Sequence, residues 1–402
     1  MNATHDPDRS LPELIAAYRP GRSLDREFYT SPQIFERDIE CVYLRHWLFA
    51  GHIFRIPHAG DYFLFLLAGE SVIVVRTGDG GVHALLNVCS HRGSRICLEA
   101  EGRTSKFVCP YHAWSFNLDG TFLAARQLPA GVDRTELGLR RIHVQVVEGL
   151  IHLCFADQPP DFEPVAADIR IFYGPHGFPQ AKIAVRTAFV LRANWKIAAE
   201  NFFECYHCLP THPELAKVMS YVRAGDSAPL AEERRSYTLK WEQRARDLGH
   251  VTGANKRSDG ACHTVCRIPI REGFLTQSKD GQPVAPLMGS FRAYDGGVTG
   301  MQFYPINWFV GNNDYAMLVR FTPLALQETE AEITWLVHPD AVEGRDYDRE
   351  AITWLWGNTM REDQKITEDN QVGVNSRFYR PGPHCRDELL DEFLQWYLRQ
   401  IS

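Results

Sequence analysis

The sequence predicts an α+β protein, with a compact all-β block set between a short helical start and a longer segment of mixed strands and helices. Three observations predict it. Residues 46–158 carry short β-favouring runs punctuated by glycine and proline turns, and residues 159–402 interleave strand-like and helical periodicities. A hydrophobic content of 45% over 402 residues supplies each part with its own core and leaves room for two or three domains.

A helix is expected to open at Ser31, whose hydroxyl can cap it, with Pro32 in the first helical position and Phe35, Ile39, Val42 and Tyr43 on one face. Strands follow at 62–67, 71–76 and 82–88, the last two joined by the turn Gly78-Asp79-Gly80-Gly81. Strands near 106–109 and 114–116, then a turn at Asp119-Gly120, complete a block that ends near Cys154, and Gln158-Pro159-Pro160 reads as the linker out of it. Beyond the linker, 181–191, 236–241, 301–310, 315–322 and 330–338 read as strands of a mostly antiparallel sheet. Helices are expected at 195–208, 349–370 and 387–401, the last striped with Leu390, Phe393, Leu394, Tyr397 and Leu398. The polar stretch 246–260 reads as a long loop suited to a lid.

Two clips stand out within the β block, Cys89-Ser-His91 and Cys109-Pro-Tyr-His112. Two cysteines and two histidines delivered this way suit a 2Fe-2S centre of the Rieske type, in which thiolates take one iron and imidazoles the other. Gly93 after the first clip and Pro110 within the second allow the backbone to fold tightly around a small cluster and offer it N–H groups. Structural zinc accepts the same ligand types, but it favours pairing like with like, as C-x-x-C and H-x-x-x-H. Cys97, between the clips, reads as packed core.

A second constellation runs from Asn194 to Pro213. Helical periodicity puts Glu200, Glu204 and His207 on one face, and Pro210 is expected to end the helix and turn His212 back toward His207. Two imidazoles and one carboxylate from elsewhere make the facial triad that holds iron(II) with open positions. Glu362, Asp363, Glu368 and Asp369 on a late helix are the candidates for that carboxylate, and periodicity of charge does not choose among them. Cys205, His207 and Cys208 also permit a zinc reading through C-x-x-C, ranked lower because an electron donor upstream requires a redox-active acceptor.

The formal charge of −7 points to neither nucleic acid nor an anionic membrane as partner. No run approaches the roughly 18 apolar residues that span a bilayer. The first residues lack the basic and apolar regions of a secretory signal, so a cytoplasmic location is expected, with the ten cysteines mostly reduced and either ligating metal or buried.

Taken in order, Cys89-x-His91 with Cys109-x-x-His112, Glu204-x-x-His207-x-x-x-x-His212, and Glu362-Asp363 followed by Gln371 resemble the Rieske non-haem iron oxygenases, the α-subunit type of ring-hydroxylating dioxygenases and their monooxygenase relatives. The resemblance covers essentially the full length. It implies a Rieske domain at 46–158 inserted into a helix-grip (START-like) catalytic domain made of 1–45 and 159–402. It implies a 2Fe-2S cluster on Cys89, His91, Cys109 and His112, and mononuclear Fe(II) on His207, His212 and Asp363. Glu204 would bridge His112 of a neighbouring chain to its own His207 within a head-to-tail homotrimer. Most members carry Asp at that position. Glu204-Cys205-Tyr206-His207-Cys208, Trp335-Leu336-Val337-His338 and Gly373-Val374-Asn375-Ser376 are similar to the branch that demethylates betaines and related quaternary ammonium compounds.

The function so implied is hydroxylation of an N-methyl group with O2 and electrons from a separate NAD(P)H-dependent reductase or ferredoxin, releasing formaldehyde. Ring dihydroxylation by the same machinery is the nearest rival, and an electron carrier with structural zinc is the rival of another class. Aromatic faces suit a trimethylammonium group, and Phe303, Tyr304, Trp308 and Phe309 are the candidates, although strand alternation forbids all four facing one pocket.

Overall fold

A computed structural model describes residues 9–219, 227–255, 262–385 and 388–402. By internal contacts the chain divides into one unit of Leu44–Phe162 and another of Met1–Tyr43 with Glu163–Ser402.

The first unit is built on a seven-stranded sheet in the order Leu48–His52, Leu150–Cys154, Arg141–Val147, Val82–Leu86, Glu70–Arg76, Asp61–Leu67 and Glu101–Arg103. Every pairing in it is antiparallel. Val72, Ile73, Val74 and Val75 are all fully buried, which explains why this strand reads as a continuous apolar run rather than an alternating one. A smaller sheet of Phe107–Val108, Ser115–Phe116 and Phe122–Ala124 packs against it through Tyr62, Ile73, Val75 and Leu85. Its core joins Phe107, Trp114 and Phe116 to Cys89, Cys97 and Cys109, so both cluster cysteines are seated in packed hydrophobic structure.

In the second unit Ser31 caps the helix Pro32–Asp38, its hydroxyl accepting from Ile34 N at 3.4 Å. A single antiparallel sheet runs in the order Lys182–Leu191, Glu328–Val337, Tyr315–Ala325, Asn307–Gly311, Gly297–Phe303, His263–Pro269 and Gly253–Ala254. The helix Arg349–Val374 buries Ile352, Leu355, Trp356, Thr359, Met360, Asp363, Thr367 and Gln371, a stripe at helical spacing. Three elements meet at a buried charge cluster in which Asp38 pairs with Lys196 and accepts from Tyr397 Oη at 2.7 Å and Trp195 Nε1 at 3.0 Å. A buried pair removed from water is tolerated only with such additional hydrogen bonds.

Three expectations are corrected. The run 236–241 lies inside the helix Ala228–Asp247, where Ser227 caps Leu230 N at 3.4 Å and the Glu- and Arg-rich flanks outweigh the β preference of Ser-Tyr-Thr. The strand expected at 301–310 is a hairpin, broken at Tyr304-Pro305-Ile306, where the Tyr304–Pro305 bond is cis. The helix expected at 195–208 stops at Phe203. Residues 256–260 of the expected lid and Asp387 at the start of the expected last helix lie outside the described residues. No helix among the described residues is long and apolar enough to cross a membrane.

Candidate metal centres

The two clips share one backbone turn. Gly93 N donates to Cys89 O at 2.9 Å and Ala113 N to Cys109 O at 3.0 Å, each four residues after its cysteine. Each closing residue is left-handed, Gly93 at φ 76° and Ala113 at φ 58°. Cys89 and Cys109 are buried, and burial pushes the Cys89 thiol up, with the amides of His91 and Arg92 acting the other way. At Cys109 burial also acts upward, but the amides of Tyr111 and His112, the Cys89 thiol and Ser94 outweigh it and hold the thiol below its ordinary range. The His91 and His112 rings lie 4.7 Å apart at their centroids, and His91 is stacked on Trp114. Buried sulfurs ringed by N–H groups, facing two closely spaced imidazoles, fit a Rieske cluster.

The second centre is assembled across the chain. Glu204 is extended, at φ −126° and ψ 155°, and its carboxylate accepts from Tyr206 N and meets His207 Nδ1 at 2.5 Å. This local capture of a backbone donor ends the helix before Glu204, so Glu200, Glu204 and His207 do not share a helical face. Glu200 instead accepts from Tyr29 Oη at 2.6 Å. Cys208–Thr211 forms one helical turn that includes Leu209, with Pro210 in the first turn, where its missing N–H breaks no helical bond. His212 follows.

His207 Nε2 and His212 Nε2 both face Asp363 Oδ1, at 3.3 and 3.0 Å. The opposite nitrogens are held by carboxylates, His207 Nδ1 by Glu204 and His212 Nδ1 by Glu362 at 2.8 Å. Of the four candidate carboxylates, Asp363 is thus the one between the imidazoles. Glu362 orients His212, Glu368 accepts from Arg192 N at 3.1 Å, and Asp369 is exposed. The reason is periodic: Asp363 lies on the buried stripe of its helix, three residues from Met360 and seven from Trp356, and its neighbours in sequence do not.

Burial opposes a charge on His207, yet the hydrogen bonds it donates to the Asp363 and Glu204 carboxylates outweigh it and push its pKa up to about 9. Burial likewise raises Asp363, and the two histidines reverse that and hold it below the carboxylate range. A site that binds a proton this firmly between two nitrogens and a carboxylate is one where a divalent cation can replace it. Two imidazoles and one carboxylate, with both other ring nitrogens anchored, fit Fe(II) in a facial triad.

The ligand atoms of His207, Cys208 and His212 also lie within 4.8 Å of one another. The sulfur of Cys208 is joined to Cys205 in a disulfide, which takes both cysteines out of the zinc reading, while the other eight cysteines are free, in keeping with thiols that are mostly reduced.

The triad faces a chamber of about 550 Å³ walled by Phe202, Trp308, Trp356, Cys266, Met219 and Leu389. Trp308 meets Trp356 edge-on at 4.6 Å and Phe202 at 5.7 Å. Phe303, Tyr304 and Phe309 are buried in the core, so of the four expected aromatics only Trp308 reaches the chamber. Trp356 was legible as the residue two helical turns before Asp363. Histidines aside, the ionisable oxygens on the described wall are the carboxylates of Glu204, Asp363 and Glu392, with no lysine or arginine among them.

Residues 178–402 match the family model of the ring hydroxylating alpha subunit (catalytic domain), and residues 46–141 match that of the Rieske [2Fe-2S] domain. The chain is 34% identical over 387 residues to the glycine betaine monooxygenase oxygenase subunit of Pseudomonas aeruginosa UCBPP-PA14, covering 94% of this chain and 89% of that one. It is 35% identical over 393 residues to the protein of the same description from Chromohalobacter salexigens, covering 96% and 87%. Among solved structures, the quaternary ammonium Rieske monooxygenase CntA with a bound inhibitor superposes with a TM-score of 0.75 at 20% identity, over 97% of this chain and 98% of that one.

Proposed function

Because this chain belongs to the ring-hydroxylating alpha-subunit family of Rieske oxygenases, we propose that it oxidatively demethylates a quaternary ammonium betaine. The observation that carries this reading is the chamber itself: an acid-lined wall with Trp308, backed edge-on by the buried Trp356, beside the His207, His212 and Asp363 triad. A cationic N-methyl group gains from aromatic faces on the order of 0.5 to 2 kcal/mol each, and a wall without lysine or arginine among its described residues does not repel it. The similarity to the two glycine betaine monooxygenase subunits supports the same substrate class.

In this reading Cys89, His91, Cys109 and His112 hold the 2Fe-2S cluster and His207, His212 and Asp363 hold Fe(II). When bound, the cluster supplies single electrons and the iron activates oxygen for insertion into a methyl C–H bond. Glu204 and Glu362 keep the two imidazoles in the tautomer whose Nε2 is free to ligate. Trp308 and Phe202 hold the ammonium group and exclude water, with the buried Trp356 packed edge-on behind Trp308. The hydroxylated methyl then leaves as formaldehyde, with the amine retaining the nitrogen.

Electrons come from a separate NAD(P)H-dependent reductase or ferredoxin. Glu204, about one-fifth exposed and already on His207 Nδ1, would receive His112 of a neighbouring chain in a homotrimer. The Rieske domain is assigned to 46–158, the catalytic domain to 1–45 with 159–402, and the location to the cytoplasm.

The test is formaldehyde release and oxygen uptake with a reductase present, using glycine betaine, proline betaine, carnitine and simple aromatics. Stoichiometric formaldehyde from an N-methyl compound is expected, with about three irons per chain. Ring diols without formaldehyde, or two irons and one zinc, would overturn the reading.

A further inference from the structure

A second cavity of about 310 Å³ adjoins the iron-facing chamber and shares Met219, Cys266, Gln302, Trp308, Trp356 and Leu389 with it. Its floor is the sheet. Antiparallel register pairs Ile268 with Val298, Cys266 with Gly300, and Gly300 with Val310, and paired residues share a face. These five positions therefore lie side by side on one face, and all five line the cavity. The polar groups at its edge are the neutral side chains of Asn255, Thr264, Gln277 and Gln302, and no lysine or arginine is among the described residues around it. Gln302 is already engaged, donating from Nε2 to Phe202 O at 2.9 Å.

Gly300 is central to this floor. A Cβ there would meet nothing closer than Cys266 Sγ at 4.0 Å, and its φ lies outside the left-handed region. The backbone does not require glycine at this point, so the consequence of glycine is space. A compact betaine with a single methylene between its charged ends is accommodated in the first chamber, and leaves this second one to water on an apolar floor.

Building on the demethylation reading, we infer that the second cavity is a subsite for an apolar arm on the substrate: the compound is a methylated ammonium bearing a ring or short alkyl chain. The methylated nitrogen sits between Trp308 and the triad, and the arm passes over Gly300 onto Val298, Val310 and Ile268. Bulk at residue 300 then acts as a length selector.

The experiment is calorimetric titration of the iron-loaded protein with tetramethylammonium, which has no arm, and benzyltrimethylammonium, which has one. The wild type is expected to bind the benzyl compound about ten-fold or more tightly than the armless one, as burial of a phenyl group provides. Gly300→Leu should remove most of that ratio, and Val298→Phe serves the same purpose should the leucine variant fail to fold. Equal affinities in the wild type, or a ratio that persists in both variants, would overturn the subsite. Formaldehyde assays on these two compounds and on glycine betaine separate the two readings. An arm preference in binding with no formaldehyde from any N-methyl compound defeats demethylation and leaves the subsite standing. Formaldehyde from glycine betaine with no arm preference does the reverse.

Discussion

The two metal centres are built on opposite plans. Each cluster clip is a five-residue turn whose cysteine, amides and left-handed closing residue are contiguous, so its geometry is fixed by local backbone. The candidate iron site joins His212 to Asp363 across 151 positions of sequence, and its geometry is fixed by where a helix lies. A locally encoded site should be inseparable from the structure around it, whereas a packed-together site should be removable with its scaffold intact. The sharpest way to break this contrast is a pair of variants. Asp363→Ala should eliminate the mononuclear iron and turnover, at least about a thousand-fold, with the cluster spectrum and melting temperature preserved. Cys109→Ala should eliminate the cluster and also unsettle the unit that contains it, since the sulfur belongs to its core with Phe107 and Trp114. Iron counting, visible absorbance and melting read all three effects, and a melting loss for Asp363→Ala equal to that for Cys109→Ala would erase the distinction.

Within the iron site a second contrast separates the carboxylates behind the imidazoles. Glu362→Gln should weaken iron about 10- to 100-fold, because His212 loses the acceptor that fixes its orientation. Glu204→Gln should weaken iron less and slow electron arrival more, if the same carboxylate also receives the neighbouring chain's cluster histidine. Single-turnover kinetics with a pre-reduced cluster distinguish them; equal rates in wild type and Glu204→Gln would remove the bridge.

The same contrast explains what was legible in the sequence. The two clips, the closeness of His207 to His212 and most strands were readable because each is a short-range pattern. The choice of Asp363 over Glu362 was not read from charge, although the buried stripe Trp356, Met360, Asp363, Thr367, Gln371 carries it. The early end of the helix at Phe203 was not legible, because it depends on a side chain capturing a backbone amide two residues on. Nor was the Asp38–Lys196 pair, which joins elements 158 residues apart and has no local signature.

Long-range packing also leaves a pH signature at Glu200, on the helix Trp195–Phe203. Burial pushes Glu200 up to about 7 from its ordinary 4.5, with the Tyr29 hydroxyl and Lys196 countering in part. A raised carboxyl favours the fold fully below about pH 4.5, and that contribution is lost as pH rises through about 7. Glu200→Gln should therefore stabilise the protein at pH 8 by on the order of 1 to 2 kcal/mol relative to its effect at pH 5. Denaturant midpoints at the two pH values measure it, and a pH-independent difference would show that the ionised carboxylate is not the cost.

The smallest expected effect tests the equivalence of the two clips most directly. Both close on a left-handed residue, one of them glycine and the other alanine, and a non-glycine residue there costs roughly 1 to 2 kcal/mol. Gly93→Ala should lose about 1 kcal/mol from the left-handed backbone once the lower entropy of the unfolded chain is set against it. Ala113→Gly should gain about as much, because Ala113 is exposed and its methyl carries little packing. The exchange of both residues at once should then be close to neutral, with cluster absorbance unchanged and the midpoint for thermal bleaching back near the wild type. A double variant markedly less stable than the wild type would mean that the second turn holds its alanine for a contact the first does not have, and that the two clips are alike in backbone but not in load.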